Sequence, residues 1–169
     1  VHSQVALHAP YGGVVPEIAS RSHLEQLPGV VRRAMNDAGT TWDDLDGVAA
    51  TYGPGLASSL LVGLSAAKGL ALSLDKPFMG VNHIAAHLYS PFLSPEAPPL
   101  GASLPLLSLV VSGGHSLLAK VDRTGKCVVV GQTLDDAAGE AFDKAAQVLG
   151  LGYPGGPAIE RAAGRCMRP

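Results

Sequence analysis

The sequence has few cysteines and few charged residues, which is compatible with a globular, intracellular protein. Only two cysteines, Cys127 and Cys166, occur among 169 residues, which is too few for a disulfide scaffold in a chain of this size. Charged residues make up 15% of the chain and hydrophobic residues 47%, so it lacks the profile of a disordered protein. We therefore expect a folded protein in a reduced, cytoplasmic setting.

Signals for membrane insertion are also missing. The longest apolar stretch, residues 60–74, is interrupted by Lys68 and by two glycines, and it is too short to cross a bilayer. The first residues show no signal-peptide pattern. We expect no membrane association.

The charge balance does not indicate any particular class of binding partner. The formal net charge is −2, from 12 Lys and Arg against 14 Asp and Glu, so no basic footprint of a nucleic-acid binder is present. A local patch or a basic partner could still supply phosphate contacts. The chain begins with Val1 rather than Met, and it stops soon after a helix begins. We expect either a fragment that lacks both ends or a damaged reading frame.

Apolar strands alternate with helical patterns along the chain, which predicts an α/β layered fold. A hairpin of strands at 115–121 and 127–132 predicts that the sheet is mixed and flanked by helices. A helix is expected from about Glu17, with Pro28 kinking or splitting it and Gly39 capping its end. The remaining expected elements are strands at 46–52, 77–81 and 106–111, helices at 56–73 and from about Asp136 to 150, a helix carrying His83 and His87, a surface loop at 90–105, and a last helix after a rigid loop at 153–157.

Two histidines, His83 and His87, lie four residues apart in a predicted helix. Residues at this spacing share one helix face, so both imidazoles could bind one cation. Local hydrogen bonding by the two rings is the alternative. A zinc protease of the His-Glu-x-x-His type needs Glu where Ile84 stands, so a protease is disfavoured. Two histidines alone make an incomplete metal site, so a metal bound by this pair needs a third ligand.

Three further motifs could bind a ligand. Ser112-Gly113-Gly114 follows a buried strand and could present backbone N–H groups to an anion, or could be a plain hairpin turn. The run 135–144 holds four carboxylates, which could bind sugar hydroxyls, a cation or N–H groups, or could complement a helix dipole. The loop 152–157 has two glycines between prolines and could pack against a flat ligand, or could only connect two helices.

Taken together, and in this order, the motifs closely resemble those of the TsaD family, also called Gcp or YgjD, of tRNA threonylcarbamoyltransferases. The resemblance covers nearly the whole chain and is best for the bacterial form. It rests on Gly12-Gly13-Val14-Val15-Pro16-Glu17-Ile18-Ala19-Ser20-Arg21, Gly53-Pro54-Gly55-Leu56, Val81-Asn82-His83-Ile84-Ala85-Ala86-His87, Ser112-Gly113-Gly114-His115, Asp135 to Lys144 and Gly152 to Pro157.

The resemblance implies a fold, a reaction and a cellular role. The fold would be that of the actin-like and sugar-kinase ATPases, with two lobes around a cleft. Residues 1–108 would form most of the N-terminal lobe and residues 109–169 the start of the second lobe. The reaction would move a threonylcarbamoyl group from threonylcarbamoyl-AMP to N6 of adenosine 37, in tRNAs that read codons beginning with A. Proteins of the TsaB and TsaE types would be partners.

The resemblance also assigns site residues. One divalent metal, Fe(II) ahead of Zn(II), would bind His83 and His87, with a third ligand, an Asp, beyond the end of the chain. Apart from the resemblance, His115 could assist proton transfer or could only brace the turn. Substrate contacts would come from Val110, Val111, Ser112, Gly113, Gly114, Asp143 and Gly156. Two alternatives remain at this stage: a non-catalytic nucleotide-binding scaffold subunit, or an inactive truncated product.

Overall fold

A computed structural model describes residues 3–166 of the chain. These residues fall into two compact units, the first reaching His83 and the second starting at Ile84. Each unit contains both strands and helices, so the α/β class is confirmed. Among the described residues, no helix is long and apolar enough to cross a membrane. The lobe boundary at residue 108 stays a prediction.

The first unit is a two-stranded parallel sheet with helices packed on it. Its strands are joined by a helical crossover, which parallel strands require. Val48 pairs with Phe78 and Thr51 with Val81. Helix α3 packs on β1, and α2 packs on α3. The elements are α1 Val5–His8, a 3-10 turn Ala9–Tyr11, α2 Pro16–Ala38, β1 Val48–Gly53, α3 Ala57–Ser73 and β2 Phe78–Asn82.

Pro28 was expected to kink or split the helix; α2 runs through it as one continuous element, so the split is wrong. A proline inside a helix removes one hydrogen-bond donor and disfavours the preceding turn. Packing of α2 against α3 opposes that local penalty. The start of α2 follows the local rules, since Val15 is extended and Pro16 occupies the first helical position, where its missing N–H needs no partner.

The buried ring of His8 holds the segment that leads into α2, a contact that sequence reasoning missed. The backbone N–H of Val15 donates to His8 Nδ1 at 3.2 Å, and His8 Nε2 lies 3.3 Å from Gln4 Oε1. Because Nδ1 accepts, the proton of a neutral ring sits on Nε2 and can be donated to Gln4. The His8 side chain is 4% exposed, and its hydrogen bond to Val15 connects α1 to the start of α2.

Replacing Gly39 with alanine is expected to lower the free energy of unfolding by about 1 kcal/mol. Gly39 ends α2 as predicted, with φ of 62°, and a Cβ there would meet no atom within 4 Å. The penalty is therefore purely conformational. Urea unfolding would measure it. Gly29→Ala is the matched control, because Gly29 lies inside the same helix with the same open space. The control should gain roughly 0.5–1 kcal/mol, and a loss in both variants would contradict the argument.

The second unit is a three-stranded antiparallel sheet with helices before and after it. The predicted bounds of β3 and β5 are confirmed. The expected loop at 90–105 contains a 3-10 turn and α5, and α7 begins at Gly155, inside the loop expected at 153–157. The elements are α4 His83–Tyr89, a 3-10 turn Ser90–Leu93, α5 Leu100–Ser103, β3 Leu106–Val111, β4 Ser116–Val121, β5 Cys127–Gln132, α6 Ala138–Val148 and α7 Gly155–Cys166.

The core of the second unit forms where α4 packs against the sheet. Leu88 of α4 lies among Val110, Leu117, Ala119 and Val121, and partly buried side chains surround this cluster. The burial of β4 alternates along the strand, which is typical of a sheet with one face covered. Sheet order is β3–β4–β5, so β4 is central.

Candidate functional site

The histidines His83 and His87 stand on one face of α4, as their spacing predicted. Ile84 and Leu88 follow them by one residue each, and both pack on the sheet core. Successive residues of a helix point about 100° apart. The packing of Ile84 and Leu88 on the sheet therefore sets the direction in which the imidazoles of His83 and His87 point. Both histidines are half-buried. Both imidazoles are thus carried by the same short helix.

This pair fits part of a metal site. Two neutral imidazoles suit Fe(II) or Zn(II), and both metals require further ligands. Between residues 3 and 166, no group of three or more His, Cys, Asp and Glu side chains could hold a metal ion. The donor chemistry of the pair is therefore compatible with two of the ligands of such a site.

The turn at Ser112-Gly113-Gly114, called here the Ser-Gly-Gly turn, closes on itself through Ser112 and His115. The N–H of Ser112 donates to the carbonyl of His115 at 2.8 Å. The Ser112 hydroxyl donates to the same carbonyl at 3.2 Å, and the His115 N–H donates to Ser112 Oγ at 3.0 Å. The turn thus has a fixed shape before any ligand binds. Val110 is buried beneath it, whereas Val111, Gly113 and Gly114 are exposed.

Three of the four carboxylates in the run 135–144 have partners in the protein. Lys144 Nζ lies 2.5 Å from Asp136 Oδ1 and 3.2 Å from Glu140 Oε1. The hydrogen bond to Asp136, followed by the one to Glu140, raises the pKa of Lys144. The lysine therefore offsets the repulsion between these two acids. Ala137, the residue after Asp136, occupies the N-cap position of α6.

Asp143 makes the third of these contacts, and it joins two helices. Its Oδ1 accepts a hydrogen bond of 2.7 Å from the backbone N–H of Gly155, the first residue of α7. A carboxylate at this place satisfies an unpaired N–H and complements the helix dipole. A carboxylate can accept at both oxygens, so Asp143 keeps capacity for a ligand. Gly156 follows directly, and a Cβ there would meet no atom within 4 Å.

Tyr153 stands close to this junction. Burial raises the pKa of its phenol above the ordinary value, and the negative charge of Asp143 raises that pKa further. The phenol is therefore protonated at neutral pH and can serve as a hydrogen-bond donor. The second unit thus brings Asp143, Tyr153, Gly155 and Gly156 together at the junction of α6 and α7.

Comparison with known proteins identifies the lineage of the chain. A family model described as "TsaD: tRNA N6-adenosine threonylcarbamoyltransferase" matches residues 1–167. This chain belongs to the TsaD family. The family predicted from the motifs is therefore confirmed.

Curated relatives agree with that membership. The chain is 59% identical over 163 residues to tRNA N6-adenosine threonylcarbamoyltransferase from Geobacter sulfurreducens, covering 96% of this chain and 46% of the relative. It is 53% identical over 163 residues to the protein of the same name from Clostridium perfringens, covering 96% and 47%. The chain thus spans about half the length of the curated TsaD relatives it matches.

Among solved structures, the chain is similar to YeaZ from Pseudomonas aeruginosa. The two are 18% identical, with a TM-score of 0.43, over 66% of this chain and 51% of that one. A likeness of this size carries no argument about the fold, the partners or the reaction.

Two residues of this TsaD chain that shape the site were missed by sequence reasoning. Gly139 lies inside α6 and Gly155 begins α7, and a Cβ on either residue would overlap backbone atoms of another segment. A glycine inside a helical pattern is unfavourable, so it can signal a close approach. Gly139 carries that signal, which does not say which segment approaches, whereas Gly155 was expected in a loop.

Proposed function

We propose that this TsaD chain provides part of an enzyme that transfers a threonylcarbamoyl group from threonylcarbamoyl-AMP to N6 of adenosine 37 in tRNAs reading codons that begin with A. The observation that carries the proposal is that this member of the family has every site residue that its motifs predict within the chain. These are His83, His87, the Ser-Gly-Gly turn, His115, Asp143 and Gly156. A scaffold subunit has no need of two histidines and a carboxylate held in this way.

The adenylate would be held by the second unit. The exposed backbone of the Ser-Gly-Gly turn would bind its phosphate or acyl part, since N–H groups in a glycine turn attract anions. Asp143 would accept hydrogen bonds from ribose hydroxyls through the capacity left after its bond to Gly155. The open surface at Gly156 would let the base or sugar approach the backbone closely.

The chemical step exchanges one bond to carbon for another. The exocyclic amine of adenosine attacks the carbamoyl carbonyl carbon, a C–N bond forms, the C–O bond to the phosphate breaks, and AMP leaves with the electron pair. The amine gives up one proton, and His115 beside the turn would receive or relay it. His83 and His87 would hold a divalent metal, Fe(II) in preference to Zn(II), which supplies Lewis-acid polarisation of a carbonyl when bound.

Further parts of the proposal come from the family. The third metal ligand would lie outside this chain, so the chain alone would not catalyse transfer. TsaB-type and TsaE-type proteins would be partners, and the reaction would take place in the cytoplasm.

The test is a transfer assay with the protein of the full reading frame. Threonylcarbamoyl-AMP and unmodified tRNA are supplied, and modified adenosine is measured by mass spectrometry after digestion of the tRNA. We expect modification of a tRNA with adenosine at position 37 and none of a tRNA with guanosine there. Absence of transfer, with bound adenylate and normal folding, would favour a scaffold subunit instead.

Asp143→Asn is expected to raise the KM for the adenylate about 10- to 100-fold, since hydrogen bonds to a charged group contribute roughly 1.5–3 kcal/mol. The amide oxygen can still accept the Gly155 N–H, so the junction of α6 and α7 should persist. Thermal unfolding provides the control. An unchanged KM would show that Asp143 only caps α7.

A further inference from the structure

The start of α6 lies directly against the Ser-Gly-Gly turn. The N–H of Gly139 donates to the carbonyl of Ser112 at 3.2 Å. A Cβ at Gly139 would lie 2.7 Å from Gly113 Cα, 2.9 Å from the Ser112 carbonyl oxygen and 3.0 Å from Gly113 N. All three of these atoms belong to the backbone of the turn. The helix therefore touches the turn where any side chain, even a methyl group, would collide.

The sheet also fixes where α6 begins. The N–H of Ala138 donates to Ser116 Oγ at 2.9 Å, although the two residues are 22 apart in sequence. Because Ala137 at the N-cap has no side-chain oxygen, Ser116 of β4 takes over the capping role. Ser116 also accepts the Thr133 N–H at its carbonyl, at 2.8 Å. The helix start is thus anchored on both sides of the turn and cannot easily move away from it.

We propose that Gly139 is a positioning residue for adenylate recognition, because it sets the place of the Ser-Gly-Gly turn relative to α6. The inference rests on the proposed function of that turn. Ordinary contacts of a Cβ begin at 3.4 Å, so an alanine would displace the backbone of the turn by about 0.7 Å, the difference from the 2.7 Å contact. Binding groups need to be held within roughly 0.5 Å of their productive geometry, and the Ser112–His115 bonds would move with the turn.

The test is Gly139→Ala in the protein of the full reading frame. We expect the KM for threonylcarbamoyl-AMP to rise about 10- to 100-fold, as a misplacement near 1 Å can produce. The KM for tRNA should stay within about twofold, since the tRNA is not held by this turn in the proposal. A merely structural role would instead lower the amount of active enzyme and leave both KM values unchanged.

Gly164→Ala is the matched control, since Gly164 lies in α7 of the same unit with no atom within 4 Å of a Cβ. It should leave both KM values unchanged. Ser116→Ala serves as a second probe, because it removes the cap of α6 without adding bulk; it should raise the adenylate KM less than Gly139→Ala does. An adenylate KM at the wild-type value in both probes overturns the inference.

The failure of the proposed function would look different. In that case the wild-type protein itself would transfer nothing. The backbone amide NMR shifts of Gly113 and Gly114 then decide the inference about position. They should move in Gly139→Ala and remain in place in Gly164→Ala, and unchanged shifts in Gly139→Ala would overturn the positioning role.

Discussion

Replacing His83 and His87 together with alanine is expected to reduce bound metal from about one equivalent to almost none and to lower transfer by at least about 100-fold. Both donors leave with the imidazoles, while Ile84 and Leu88 still pack α4 on the sheet. A metal that polarises a carbonyl contributes several kcal/mol to a transition state, so its loss should cost two orders of magnitude or more. The metal content is measured by mass spectrometry of the purified protein of the full reading frame.

A histidine outside α4 provides the control for this experiment. His23 lies on α2, is exposed, and places its Nδ1 3.1 Å from Gln4 Nε2. His23→Ala should keep the full metal content and the full transfer rate. Circular dichroism should show that the double variant is folded. Normal metal content and normal transfer in the double variant would refute the assignment of this pair as ligands.

The second large effect is expected at Gly155. A Cβ on this residue would overlap the carbonyl oxygen of Phe142 and would lie 2.5 Å from Asp143 Cα and 2.7 Å from Asp143 N. These are backbone atoms inside α6, so they cannot rotate away. Gly155→Ala should therefore destabilise the protein by about 3 kcal/mol, at the upper end of the range for overpacking. This corresponds to a decrease in Tm of roughly 6–12 °C for a domain of this size.

The neighbouring glycine, Gly156, provides the comparison for the effect on stability. A Cβ at Gly156 meets no atom within 4 Å. Gly156→Ala should therefore leave Tm within about 2 °C of the wild-type value, because a side chain in open space neither clashes nor creates a cavity. Differential scanning calorimetry of both variants makes the comparison. Equal Tm values for the Gly155 and Gly156 variants would contradict the packing described at the junction of α6 and α7.

The sequence predicted those elements whose limits are set by neighbouring residues. β3 is an apolar run that ends at a glycine turn, and β5 follows the turn at 122–125, so both bounds were correct. The pair on α4 followed from helical spacing alone. In each case the deciding contacts are local, and a single sequence carries them.

Other features depend on contacts between distant segments, and these were not predictable. Pro28 was expected to kink or split α2, yet the helix is continuous through it and packs on α3. α7 begins at Gly155 because Asp143, twelve residues earlier, accepts its first N–H. The acids around Asp143 were expected to bind a ligand or N–H groups or to complement a helix dipole, whereas Lys144 contacts two of them.

The close contacts of Gly139 and Gly155 also limit how the protein can evolve. At both positions the atoms in the way are main-chain atoms, and at Gly139 one neighbour is itself the glycine Gly113. A second mutation elsewhere normally rescues a bulky substitution by shrinking an adjoining side chain. Neither position offers a side chain to shrink. A genetic screen for second-site suppressors of Gly139→Ala should therefore recover mainly revertants to glycine.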